Sequence, residues 1–329
     1  MLLLEWLNTG SMNYARYMHT ASVLTDGKVL VAAGYGDSGN MNSAELYDPS
    51  TGSWTTTGNL NNARSSHTAS VLADGKVLVA GGAGSMNRAE LYDPSTGIWT
   101  TTGNLNNGRS GHTASVLTDG KILITGGEGN MNCAELYDPS TGSWTSTDNL
   151  TNARYQQTAS VLLDGKVLVT GGRNTTGITP LNSAELFDPL TRTWTTTGNL
   201  NNRRWGHTAS VLTDGKVLIA GGTNDTSNIL KSVELYDPST GSWTTTGNLN
   251  YARVDHTASV LTDGKVLVTG GAFFVNSAEL YDPSTGSWTI TDNLNNVRFD
   301  HTESVLTDGK VLVTGGANGI NRLSSAELY

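Results

Sequence analysis

Cysteine occurs once in this chain of 329 residues, at Cys133, so no disulfide can brace it from within. Charged residues are sparse at 15%, and the balance is acidic, with a formal net charge of −9. That argues against a protein that lies along nucleic-acid phosphate or an anionic membrane surface. No apolar run approaches the roughly 20 residues that a membrane-spanning helix needs. The opening MLLLEW has three leucines and no basic residue ahead of them, so it does not read as a signal peptide. The expectation is a soluble protein, without nucleic acid or membrane among its partners. Helical periodicity is missing as well, since no segment repeats its apolar residues every three to four positions. Phosphate loops, the G-x-S-x-G elbow and metal-spaced Cys/His pairs are all lacking.

What the chain does have is glycine, 39 residues of it, and repetition. The stretch RSSHTASVLADGKVLVAGG, residues 64–82, recurs in seven versions. Arg opens each, at 16, 64, 109, 154, 204, 253 and 298. Three positions on stand His19, His67, His112, His207, His256 and His301, with Gln157 in the fourth copy. Each copy then runs through HTASVL, a TDGK-like turn, KVLVTGG, a loop of varying length, AELYD, DPSTG and SWTTTGNLNN. The period is 45 to 50 residues, which suits a unit of four short strands better than a pair of helices.

Each segment is rich in Val, Leu, Thr, Tyr or Trp and is bounded by turn residues, as strands are. Asp-Gly in TDGK predicts a tight hairpin, and DPSTG predicts a turn in which Pro fixes one φ and Gly allows the chain to re-enter a strand. Across that second turn Tyr47 should face Trp54, and Tyr92 should face Trp99, giving one aromatic pair per copy. KVLV is apolar on both faces, as a strand between two neighbouring sheets would be. The Gly-Gly that follows would permit close backbone approach.

The termini predict how the array closes. EWLNTGSMNYAR at the start aligns without a gap to SWTTTGNLNNAR from Ser53, and the chain ends in SSAELY, just short of the turn. Residues 1–13 should therefore supply the outer strand of the sheet completed by residues 298–329, with Trp6 paired to Tyr329. The expected fold is all-β: one domain over 1–329, a monomeric seven-bladed β-propeller of four-stranded antiparallel blades, closed by its N-terminal strand. Gly-Gly after a strand, then Tyr, then Trp seven residues later, with R-x-x-H before the first strand, resembles the kelch repeat, in its bacterial-type wording. The likeness covers the whole chain. It implies a propeller used as an interaction surface; a minority of such propellers are enzymes.

Seven internal copies act as controls for one another. All variation in length lies between Gly-Gly and the AEL segment, where the loop runs from six residues in three copies to eleven in the fourth, 173–183. The other variable place is the pair inside R-x-x-H. Both should emerge on one face of the disc, while the TDGK and DPSTG turns occupy the other, so the variable face is the expected working surface. On it Tyr17, Tyr155, Trp205 and Phe299 should lie near the axial mouth, with Asp255 and Asp300 close by. Phe273 and Phe274 form an apolar patch in an otherwise polar loop. Aromatic platforms beside carboxylates suit a protein or peptide ligand carrying Arg or Lys, or a glycan stacked on a ring.

Recurring polar residues point to structure. Histidines placed one per blade form a ring, so no metal and no other cofactor is expected, and each imidazole should bond a neighbouring backbone group. The Arg of R-x-x-H and the Glu of AELY should form a brace within each blade. Glu303, which replaces Ala in HTASVL, needs a position facing the channel or a cation. Kelch-like repeats also occur in copper-radical oxidases, which resemblance would require a Tyr cross-linked to Cys, a second Tyr and two His. No Tyr-His pair occurs, and Cys133 stands where other copies have Ser43 or Ser183. The expectation is a non-enzymatic scaffold with no catalytic residues.

Overall fold

The computed structural model describes residues 5–174, 179–225, 228–272 and 275–329. Among them every long element is a strand, and none is a helix. Seven four-stranded antiparallel sheets follow one another around a ring. In blade 1 the strands run from the axis outward as Thr20–Val23, Val29–Ala32, Ala44–Asp48 and Ser53–Thr56. Blades 2 to 6 repeat this order along the chain. Blade 7 is composite: Thr302–Val305, Val311–Thr314 and Ala326–Leu328 are completed by Leu7–Asn8 from the other end. Leu7 pairs with Leu328 and Asn8 with Glu327, so the ring is latched by its N-terminal strand.

The second strand of every blade is buried at all four positions, because each of its faces meets the sheet of an adjacent blade. Burying each Val, Leu or Ile there contributes about 1.5–3 kcal/mol. Tyr47 stands opposite Trp54 with ring centroids 5.1 Å apart, and Trp6 and Tyr329 repeat the contact at 5.0 Å across the closure. Phe187 takes the Tyr position in blade 4. Each of the seven Trp on the outer strands or at the closure also donates its indole N–H to the preceding blade, as Trp54 does to the Gly10 carbonyl at 2.7 Å.

The TDGK segment folds as a type I turn followed by a left-handed glycine. Gly27 donates to the Leu24 carbonyl, Leu24 donates to the Lys28 carbonyl, and Gly27 has φ +84°. In DPSTG, Asp48 accepts both the Ser50 amide and its hydroxyl, and Gly52 turns left-handed at +65°. The first glycine of each Gly-Gly lies under the next blade. A Cβ on Gly81 would stand 2.7 Å from the Arg109 carbonyl and 2.8 Å from the His112 ring. The second lies under its own blade: a Cβ on Gly82 would meet His67 Cβ at 2.7 Å.

Arg and Glu pair within each blade, from 2.5 Å in Arg298–Glu327 to 2.9 Å in Arg16–Glu45, and all these side chains are fully buried. One terminal nitrogen of the arginine also donates to two carbonyls, in blade 2 those of Gly81 and Arg88. The carboxylate in turn accepts the Asn61 and Asn62 amides. The brace thus ties the second strand, the variable loop and the link into the blade into one unit. Removing one partner of such a pair costs about 3–5 kcal/mol.

Candidate functional site

Within R-x-x-H the two variable residues do different work. The second one, at 18, 66, 111, 156, 206, 255 and 300, is left-handed in every blade, with φ between +49° and +62°. Its peptide groups are joined around the axial mouth. Met18 donates to Asp300, Asp300 to Asp255 and Asp255 to Gly206; Gln156 donates to Gly111, Gly111 to Ser66 and Ser66 to Met18, at 2.9–3.2 Å. Glycine and aspartate tolerate that conformation best, so Gly111, Gly206, Asp255 and Asp300 answer a backbone demand as well as a surface one.

The first variable residue pairs with the residue immediately after Gly-Gly. Tyr17 bridges to Tyr35, Tyr155 to Arg173, Trp205 to Thr223 and Phe299 to Ala317. In blade 6 the Ala272 amide donates to the Val254 carbonyl. The two stretches that vary among the copies are therefore hydrogen-bonded neighbours on one face.

On the blade 4–5 side of the mouth, Tyr155 and Trp205 do come together, but around a residue that the reading of R-x-x-H passed over. The Arg173 guanidinium lies 4.6 Å from the Tyr155 ring centroid and 4.3 Å from that of Trp205. The chain's own cation fills the space between these rings, where a ligand cation was expected. The signal was present: after Gly-Gly the copies carry Tyr35, Ala83, Glu128, Arg173, Thr223, Ala272 and Ala317, and only two of these are charged.

Asp255 and Asp300 are adjacent on the collar, and neither carboxyl has a hydrogen bond or ion pair among the described residues. Loss of water raises Asp255 to about 6 against the pull of Arg173. Loss of water, with the Asp255 charge beside it, raises Asp300 to about 7. Asp300 also lines a recess of about 280 Å³ walled by Tyr17, Phe299 and the loop from Gly319 to Arg322. Arg322 on its rim is held by Asp37 at 2.9 Å. Tyr17, Phe299 and Asp300 thus share one recess, and Tyr155 and Trp205 flank Arg173. Phe273 and Phe274 lie outside the described residues.

Below the collar His19, His207, His256 and His301 line a channel of about 420 Å³. The expectation of backbone partners needs correction. His67 Nε2 bonds the Thr20 hydroxyl of the preceding blade at 2.9 Å, and the other five histidines use the equivalent threonine. Gln157, the departure in blade 4, has no such hydroxyl partner among the described residues and donates to a backbone carbonyl, that of Thr125 at 2.8 Å. The hydroxyls are within reach because they stand on the innermost strand, beside the adjoining blade that carries the imidazole. Burial and nearby arginines hold the imidazoles neutral, with His67 and His207 lowered to about 3. Glu303 faces this channel. Its Oε2 accepts the Thr257 and Thr269 hydroxyls at 2.6 and 2.8 Å, its Oε1 has no partner, and burial raises its pKa. Among the described residues no group of three or more His, Cys, Asp or Glu side chains is placed to hold a metal ion.

Comparison with known proteins agrees with this architecture. The model of the Attractin/LZTR1 β-propeller family matches residues 132–327, more than half of the chain, and the kelch motif matches 16–61 and 109–151. The chain belongs to the kelch-repeat β-propeller family. Kelch propellers serve in general as binding scaffolds. No curated protein matches the sequence. Among solved structures, a fungal alcohol oxidase of the AA5 family in complex with copper superposes with a TM-score of 0.78 at 20% identity. The match covers 98% of this kelch propeller and 75% of the oxidase chain, a likeness of fold.

Proposed function

We propose that this propeller is a non-enzymatic scaffold that recognises a protein or peptide through its variable face. In this reading a basic side chain of the ligand enters the recess between Tyr17 and Phe299 and meets Asp300. The observation that carries it is a partly buried carboxyl, without a partner among the described residues, at an aromatic-walled opening of about 280 Å³. Such a carboxyl is stabilised by a cation brought to it, and aromatic walls add cation–π attraction and apolar contact to the stem of Lys or Arg.

The copper-radical alternative finds less support. The Cys133 thiol donates to Asn132 Oδ1 at 3.8 Å, a neighbour in its own loop. The imidazoles each have a threonine partner in a different blade. That donor set does not fit a Tyr–Cys, Tyr and two-His centre.

The test is a random-peptide array and a glycan array, each probed with the wild type and with a folded Phe299→Ala/Asp300→Lys variant. Enrichment of Lys or Arg peptides by the wild type, lost in the variant, is the expected result. Retention of glycans alone would transfer the site to carbohydrate. Identical peptide selection by both proteins would remove Asp300 from the site.

A further inference from the structure

We propose that the rim between blades 4 and 5 is a carboxylate-binding site, in which the edge of the Arg173 guanidinium and the indole N–H of Trp205 receive a carboxylate of the bound peptide. This rests on the reading that the variable face takes a peptide, and it adds the acidic half of that ligand.

Two donors carry the argument. Arg173 Nε and Trp205 Nε1 are both shut off from solvent and have no acceptor. Arg204, Arg253, Arg298 and Arg322 leave the same nitrogen unpartnered, but at Arg173 a second buried donor, Trp205 Nε1, belongs to the ring stacked on the guanidinium, and two such donors together mark a missing acceptor. The geometry says where it would sit. Tyr155 and Trp205 approach the guanidinium within 4.6 and 4.3 Å and hold its plane, so its N–H groups are offered only at the edge. A planar fork of N–H donors matches the two oxygens of a carboxylate.

The charge of Arg173 is also unspent. The seven brace arginines each have a glutamate, and Arg322 across the rim has Asp37. Arg173 has no ion pair among the described residues; Asp255 feels its field from beyond contact distance. Gln156 Oε1 and Asn174 Oδ1, on the residues that follow Tyr155 and Arg173 in the chain, are likewise buried and unpartnered. Unpartnered donors and acceptors on these consecutive residues suit a group that brings a carboxylate together with peptide N–H. With Asp300 as the cation-seeking position, the mouth reads as complementary to a peptide carrying one acidic and one basic group.

The experiment uses an array of N-acetylated heptapeptides with randomised charge, printed in two arms, one C-terminally amidated and one with a free C-terminal carboxylate. It is probed with the wild type, Arg173→Gln, Trp205→Phe and Asp300→Asn. Trp205→Phe keeps a ring over Arg173 and removes only the N–H, so its effect does not depend on loss of the stack. The wild type should select acidic together with basic peptides. Arg173→Gln and Trp205→Phe should bind the best acidic peptides about tenfold more weakly and keep the basic preference. Asp300→Asn should do the reverse. Acid selection in the amidated arm assigns a side-chain carboxylate, and selection only in the free-acid arm assigns the C-terminus. An acid preference that is absent from the wild type, or unchanged in both Arg173→Gln and Trp205→Phe, overturns the proposal. Acid selection without basic selection would leave this site standing and remove the reading of Asp300. Absence of peptide binding would overturn both.

Discussion

His301 and Glu303 meet on the same two hydroxyls: Thr257 lies 2.8 Å from the imidazole Nε2 and 2.6 Å from the carboxylate, and Thr269 lies 3.1 and 2.8 Å from them. In the other six copies the Glu303 position is alanine, so no carboxyl competes with the histidine there. A carboxyl whose pKa is raised on folding stabilises fully below its unfolded value and loses that contribution as pH rises. Glu303→Ala should therefore raise stability by about 1–3 kcal/mol at pH 8 and by little at pH 4. Urea unfolding at the two pH values decides it.

The histidines act with the opposite sign. Their folded pKa lies well below the ordinary 6.5, near 3 for His67 and His207, so the stability they confer is complete above pH 6.5 and is lost as pH falls. Six such imidazoles outweigh the three raised carboxyls Asp255, Asp300 and Glu303. The melting temperature should fall from pH 7 to pH 4. His207→Gln, copying what blade 4 has at Gln157, should flatten that slope, and an equally steep profile would contradict the assignment.

Arg192 stands at φ +61° where the other complete blades have glycine, as Gly52 at +65°. Left-handed backbone is costly for a residue with a Cβ, although glycine gives back part of the difference in unfolded-chain entropy. Arg192→Gly should stabilise by about 0.5–1 kcal/mol, measured by chemical denaturation.

Removing residues 1–9 should lower the melting temperature by about 5–10 °C. The deletion strips blade 7 of its outer strand and takes away Trp6, which is buried against Tyr329 and bonded to the Asp292 carbonyl at 3.0 Å. An unchanged melt would mean that the latch contributes nothing.

Binding of a basic peptide at Asp300 should strengthen between pH 5 and pH 8, because the carboxyl, raised to about 7, must be ionised to hold a cation. Titration of one Lys-containing peptide across that range checks the slope.

Much of this was legible in the residues. Seven copies fixed strand order, register and the closing pair, because a repeated sentence with turn residues at fixed places leaves few alternatives. The Arg–Glu brace followed from two buried charges of opposite sign recurring at one end of the strands. Three things were harder to read. The left-handed collar is occupied by Met18, Ser66, Gln156, glycine and aspartate, and only the last two types signal such a backbone. The histidine partners lie one blade back, some 44 to 49 residues away in most copies, beyond any local pattern. Arg173 was missed because it sits in a variable loop, and what matters about it, two rings from different blades, exists only after folding.

The histidine-to-threonine contact has a consequence for how such a molecule can change. Six of the seven joints between blades use the same donor and acceptor, so one blade's flank is interchangeable with another's. A blade copied or exchanged as a cassette would find its bonding partners waiting on both sides, with its own loops and collar residue carried along. Recombination could then vary the recognition surface while leaving the joinery untouched.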